Sequence, residues 1–129
     1  MNSFDKSLAL KGVYGITSDT DLPEAELLQK LDVVLASGIS LLQFRCKSTA
    51  QEEKLRLAER VKQCCDKYSV PLLINDDCEL CLQINAAGVH LGQSDTALVT
   101  ARRLLGDQAI IGITCHDSIA KAKQAQQDG

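Results

Sequence analysis

The chain has 129 residues, a formal net charge of −3 and 45% hydrophobic residues. That length suits a single domain with its own buried core. The mild negative charge excludes a surface built for nucleic acid or anionic lipid, which rewards clustered Lys and Arg. Two Phe and two Tyr, with no Trp, are too few for a base-stacking platform. No apolar run reaches the length of a membrane helix. The first residues, Met1-Asn2-Ser3-Phe4-Asp5-Lys6, lack the basic region and apolar stretch of a signal peptide, so a cytoplasmic location is expected.

In chain order, residues 1–10 carry no firm structural signal. Val13-Tyr14-Gly15-Ile16 reads as a short buried strand, followed by polar Thr17-Ser18-Asp19-Thr20. Asp21, Pro23 and Glu24 form a helix start with Pro in the first turn. Leu27, Leu28, Leu31, Val34 and Leu35 then recur at helical spacing until Ser37-Gly38. Ile39 to Cys46 is the second strand. Thr49 and Glu52 match a capping box for a helix whose apolar stripe passes through Ala58, Val61, Cys65 and Tyr68. Val70-Pro71 stops it, and Leu72-Leu73-Ile74 is the third strand. A short helix covers Asp77 to Ile84, and Gly88 to Leu91 is the fourth strand. Leu98, Ala101, Leu104 and Leu105 mark a helix closed by Gly106. Ala109 to Ile113 is the fifth strand, and Asp117 or Ser118 caps a last helix carrying Ile119, Ala122 and Gln126.

The order βαβαβαβαβα, with short apolar strands and amphipathic helices, predicts a parallel sheet with crossover helices. An open doubly wound sheet and part of a (β/α)8 TIM barrel both satisfy it. No G-x-G-x-x-G or P-loop follows the first strand. Polar residues instead gather at the C-terminal end of nearly every strand, where barrel active sites are built. The expectation is an α/β barrel of which about five βα units are present, as one domain over residues 1–129.

Six cysteines need an account. Cys78-Glu79-Leu80-Cys81 is a C-x-x-C, but a structural zinc site needs a second pair, and Cys64-Cys65 is adjacent within a helical pattern. A redox pair belongs at a helix N-terminus after a strand, which Cys78 approximates. The favoured reading is six reduced thiols packed as small apolar groups, with no export signal to imply disulfides.

Four strand ends carry chemistry. Gln43, Arg45 and Lys47 alternate with Phe44 and Cys46, so an extended segment points them to one side. An amide and two cations on one face suit an anionic ligand with a polar ring attached. Asp76 and Asp95 each follow a short apolar strand. Two neighbouring strands that both end in an acid can share a divalent cation, and Mg2+ is usually held by one or two carboxylates plus substrate phosphate. Asp76, Asp77 and Asp95 are also candidate helix caps. Past the fifth strand Thr114 offers a hydroxyl and His116 an imidazole. His90 lies within an apolar strand and reads as a hydrogen-bonded core histidine.

Leu42-Gln43-Phe44-Arg45-Cys46-Lys47, Ile74-Asn75-Asp76, Gly88-Val89-His90-Leu91-Gly92-Gln93-Ser94-Asp95 and Gly112-Ile113-Thr114-Cys115-His116 occur in this order and spacing. Together they resemble the thiamine phosphate synthase (thiamine-phosphate pyrophosphorylase) family, from Tyr14 to the end of the chain. The resemblance implies a (β/α)8 barrel that couples 4-amino-2-methyl-5-pyrimidinylmethyl diphosphate with thiazole phosphate, releasing pyrophosphate. It implies that Gln43 contacts the pyrimidine and that Arg45, Lys47 and Asn75 bind the diphosphate. Asp76 and Asp95 would ligate Mg2+. Thr114, where the family usually has Ser, would hydrogen-bond the departing pyrophosphate, so Arg45, Lys47 and Thr114 would serve the chemical step.

Two features depart from the family. A basic residue often follows the Asn-Asp pair, and here it is Asp77. Five βα units are visible where the family needs eight, so the expectation is a synthase fragment that is not a competent catalyst alone. The later strands, which carry the loops for the thiazole phosphate, are not in this sequence. The implied partners are small molecules, with self-association left open. Two other readings stand beside the synthase: a thiazole tautomerase using a histidine near His116, and a non-catalytic diphosphate-binding piece.

Overall fold

A computed structural model describes residues 5–18, 22–47 and 50–129. Five strands, β1 (Tyr14–Ile16), β2 (Leu41–Phe44), β3 (Leu72–Asn75), β4 (Gly88–Leu91) and β5 (Ile110–Ile113), pair in parallel in chain order. Helices α2 (Glu24–Ala36), α3 (Gln51–Lys67), α4 (Cys78–Ile84) and α5 (Leu98–Leu105) make the crossovers, and α6 (Ile119–Asp128) follows β5. A short helix α1 (Lys6–Ala9) precedes β1. Among the described residues no helix is long and apolar enough to cross a membrane.

Each strand sends alternate side chains to opposite faces, and burial sorts them into two layers. Leu42, Phe44, Leu72, Ile74, Val89 and Leu91 pack with the helices in the main core. The helices meet them with stripes at helical spacing: Leu31 and Leu35 of α2, Ala58, Val61 and Cys65 of α3, and Leu98 and Ala101 of α5. The opposite parity forms a smaller cluster, in which Leu41, Leu73 and Ile110 pack against Ala9 of α1. Fully burying one such side chain contributes roughly 1.5–3 kcal/mol, so the helix-facing layer dominates stability.

The α1 helix is absent from the sequence reading, which left residues 1–10 without structure. Asp5 caps it, accepting a hydrogen bond from the Ser7 amide at 2.9 Å. Lys6 Nζ reaches the carbonyl of Ala109 at 3.1 Å. Four residues carry too little periodicity to read, and tertiary contact alone holds so short a helix. By seating Ala9 against Leu41 and Ile110, the first residues of β2 and β5, α1 closes the N-terminal end of the inner face.

Several boundaries shift. The second strand is Leu41–Phe44 rather than Ile39 to Cys46. Pro23 occupies the N-cap position of α2 rather than its first turn, and Asp21 lies outside the described residues. At α3 the capping box cannot be followed at Thr49, which also lies outside them; Ala50 is the N-cap and makes no side-chain cap bond. Ser118, not Asp117, caps α6.

Candidate active site

The inner face of the sheet is closed by α1 at one end and polar at the other. Thr17, Arg45, Asp76 and Thr114 directly follow the ends of β1, β2, β3 and β5, and Lys47 lies two residues beyond Arg45. Of the three residues read as one strand face, only Gln43 is in β2; Arg45 and Lys47 stand in the loop after it. The loops are tied to the sheet by extra rungs. The Thr17 amide donates to the Gln43 carbonyl, that of Asp76 to His90 and that of Thr114 to Leu91, each at 2.9 Å. Buried Thr17 adds a clasp: its hydroxyl donates to the Arg45 carbonyl at 3.1 Å and accepts from the Arg45 amide at 2.8 Å.

The aspartates meet. Asn75 pairs with His90 across β3 and β4, so the loops that carry Asp76 and Asp95 leave neighbouring strands. Asp76 takes a left-handed backbone, φ 64°, which Asp and Asn tolerate better than other side chains. Burial, and then the adjoining Asp95 carboxyl group, pushes the Asp76 carboxyl above its ordinary value; Lys47 and the Asn75 amide pull it down. Lys47 Nζ lies 3.6 Å from Asp76 Oδ2. Asp95 is held by its own loop, its Oδ2 accepting from the Gly92 amide at 2.8 Å. A Cβ on residue 92 would stand 2.8 Å from that same oxygen, so any other residue there would push the Asp95 carboxylate aside. Asp95 caps no helix; α5 begins after Ala97 with no side-chain cap.

Two carboxylates forced together, one of them costly to ionise, form a donor set that a hard divalent cation would relieve. No cluster of three or more His, Cys, Asp or Glu suited to a metal occurs among the described residues. Two carboxylates with room for water and phosphate oxygens fit Mg2+ better than a fully protein-coordinated metal.

A second constellation crosses the inner face. Gln43 Nε2 donates to the Tyr14 hydroxyl at 2.9 Å. That hydroxyl lies 3.2 Å from His90 Nδ1, and His90 Nε2 lies 3.1 Å from Thr114 Oγ1. Burial lowers the His90 pKa and raises that of Tyr14, favouring the neutral form of each. His90 is thus hydrogen-bonded, as expected, but it lines the inner face rather than the core. Gln93, past β4, donates to the Thr114 carbonyl at 2.6 Å. The sequence reading missed Tyr14, Thr17 and Gln93 as parts of this site. Strand parity could have found Tyr14, since it and Ile16 share the inner side with Gln43.

The remaining candidates lie apart. Asp77 caps α4 through a 2.8 Å bond from the Leu80 amide. Exposed His116, at φ 51°, takes no part in the network. All six cysteines are free thiols. Burial pushes Cys81 up to about 12 and raises Cys78, the opposite of a reactive C-x-x-C.

The TMP-TENI family model, described as thiamine monophosphate synthase, matches residues 13–129. The thiamine-phosphate synthase of Marinobacter nauticus is 48% identical over 118 residues, covering 92% of this chain and 53% of that protein. That of Nitrosococcus oceani is 41% identical over 123 residues, covering 95% and 57%. The solved structure of thiamine phosphate pyrophosphorylase from Pyrococcus furiosus matches with a TM-score of 0.83 at 25% identity. It covers 97% of this chain and 59% of that one. The chain therefore spans little more than half the length of these relatives.

Proposed function

The chain belongs to the thiamine monophosphate synthase family, and from that premise we propose that it carries the pyrimidine-diphosphate side of a thiamine phosphate synthase site in a cytoplasmic enzyme. The observation that carries this reading is the meeting of Asp76, directly after β3, and Asp95, in the loop after β4, with Lys47 3.6 Å from Asp76. A tautomerase centred on His116 would have no use for that pair.

Asp76 and Asp95 would hold Mg2+, which when bound neutralises the diphosphate and favours its departure. Arg45 and Lys47 add cationic hydrogen bonds to the phosphate oxygens. Asn75 reaches the diphosphate beside Asp76. The Thr114 hydroxyl donates to the oxygen that gains charge as the bond to the pyrimidine methylene breaks. The electron-rich aminopyrimidine supports the resulting methylene cation, and Gln43 orients the ring. Attack by the thiazole nitrogen on that carbon completes the transfer. No covalent intermediate with the protein is needed, so catalysis is positioning and charge stabilisation.

Calorimetric titration of inorganic pyrophosphate, with and without Mg2+, tests this reading. Mg2+-dependent binding is expected for the chain, at least about tenfold weaker in Asp95→Ala, a loss of about 1.4 kcal/mol. Equal affinity in the variant would remove Asp95 from the site.

A further inference from the structure

The chain of bonds from Gln43 to Thr114 has a direction. The Gln43 amide spends an N–H on the Tyr14 oxygen. The phenol then has its own proton to give, and His90 Nδ1 stands 3.2 Å away to accept it. A neutral imidazole that accepts at Nδ1 carries its proton on Nε2. That proton points at Thr114 Oγ1, 3.1 Å away. Thr114 therefore accepts from within the protein, and its own hydroxyl proton is left to donate to a ligand. At the other end, the Gln43 carbonyl oxygen is left to accept.

The chain can also run backwards. With the Gln43 amide turned over, its carbonyl would accept from Tyr14, Tyr14 would accept from Nδ1–H, and Nε2 would accept from Thr114. Thr114 would then present only lone pairs to an anion, and Gln43 only N–H groups to the ring. Mixed states leave two donors or two acceptors facing each other, which is costly inside a protein.

We propose that Tyr14 and His90 are positioning residues: a directional relay that ties the orientation of the Gln43 amide to the orientation of the Thr114 hydroxyl. An anion at Thr114 and a ring amine at Gln43 both select the same sense, so each favours the other without touching it. The relay also bears on specificity, because a Gln43 carbonyl accepts from an amino-pyrimidine and repels its oxo counterpart. This inference rests on the synthase reading for its ligands but not for its geometry.

The ring is locked in place for this task. His90 pairs with Gly112 across β4 and β5. A Cβ on residue 112 would collide with His90 Nδ1, so the neighbouring strand leaves a notch for the imidazole. The Tyr14 and His90 rings sit 6.0 Å apart, tilted by 48°, an approach that suits the hydroxyl-to-nitrogen bond rather than stacking.

The chain has two histidines, which makes the relay readable by 15N-histidine NMR, with His116→Gln assigning the signals. His90 is expected with Nε2 protonated and Nδ1 bare. A protonated Nδ1 with Mg2+ and pyrophosphate bound, where the anion selects the sense, would overturn the relay. Tyr14→Phe removes one hydroxyl and no shape. It is expected to scramble the His90 tautomer and to weaken Mg2+–pyrophosphate binding roughly three- to tenfold, the size of one lost hydrogen bond. An unchanged tautomer in that variant would also overturn the relay. If the tautomer scrambles but pyrophosphate binds neither form, the relay stands and the diphosphate reading at Thr114 falls.

Discussion

Asp76 combines three features that are individually unfavourable: a left-handed backbone, partial burial, and a second carboxyl group against it. Folded-state strain of this kind concentrates at functional sites. The sign of its effect on stability follows from its raised pKa. The folded chain holds the Asp76 proton more tightly than the unfolded chain does. Ionised Asp76 therefore weakens the fold above its folded pKa, and the penalty disappears as pH falls through that value. Asp76→Asn keeps the backbone preference and removes the charge. It is expected to stabilise the metal-free chain at neutral pH by on the order of 0.5 kcal/mol, as befits a partly exposed pair, and to lose Mg2+-dependent pyrophosphate binding. A thermal melt paired with a titration checks both; a destabilised variant that still binds would contradict this account. The residue types at 43, 45, 47, 75, 76, 95 and 114 were legible in the sequence, because each is a polar residue within, at the end of or shortly after a short apolar run. The partners of Gln43 and Thr114 were not, because Tyr14 and His90 are 76 residues apart and meet only across the sheet.

At the scale of elements, the first turns of α2, α3 and α4 carry acids. Asp77, which departs from the family pattern, caps α4 and lies 3.8 Å from Lys54 of α3. Its charge is committed to that helix start and to an ion pair, not left beside Asp76 and Asp95. Asp77→Ala is expected to cost about 1 kcal/mol, the usual worth of a side-chain cap, while leaving pyrophosphate affinity within twofold. Urea denaturation would show a lower midpoint at unchanged slope; a large loss of affinity instead would return Asp77 to the site. Strands and long helices were legible because their periods of 2 and 3.6 are written locally. The four-residue α1 was not, since Ala9 owes its place to Leu41, Leu73 and Ile110 far along the chain. Nor could Gly112 be read as a seat for an imidazole without the register of β4 on β5.

At the scale of the molecule, β1 and β5 are the edges of the sheet, and Ile16 on β1 is 56% exposed. Parallel sheets are normally covered on both faces, so the inner face is the weak side of this chain, while the helix-facing layer holds the main core. Binding to the folded state alone adds RT ln(1 + [L]/Kd), about 2.7 kcal/mol at a hundredfold excess over Kd. A melt with Mg2+ and the pyrimidine diphosphate together is therefore expected to shift upward by several degrees, with neither alone matching it. A cooperative transition that ignores both would argue for a silent module, and no cooperative transition would assign the chemistry to a longer chain.

The sequence by itself determined the order of elements from β1 onward, the α/β class and the set of polar residues near the strand ends. Hydrophobic period, helix breakers and strand-end position are all local properties of neighbouring residues. Only the tertiary structure decided that Asp76 meets Asp95 and that Tyr14 and His90 join Gln43 to Thr114. Those relations depend on strand register and on which parity faces inward, and register is set by packing across the whole sheet.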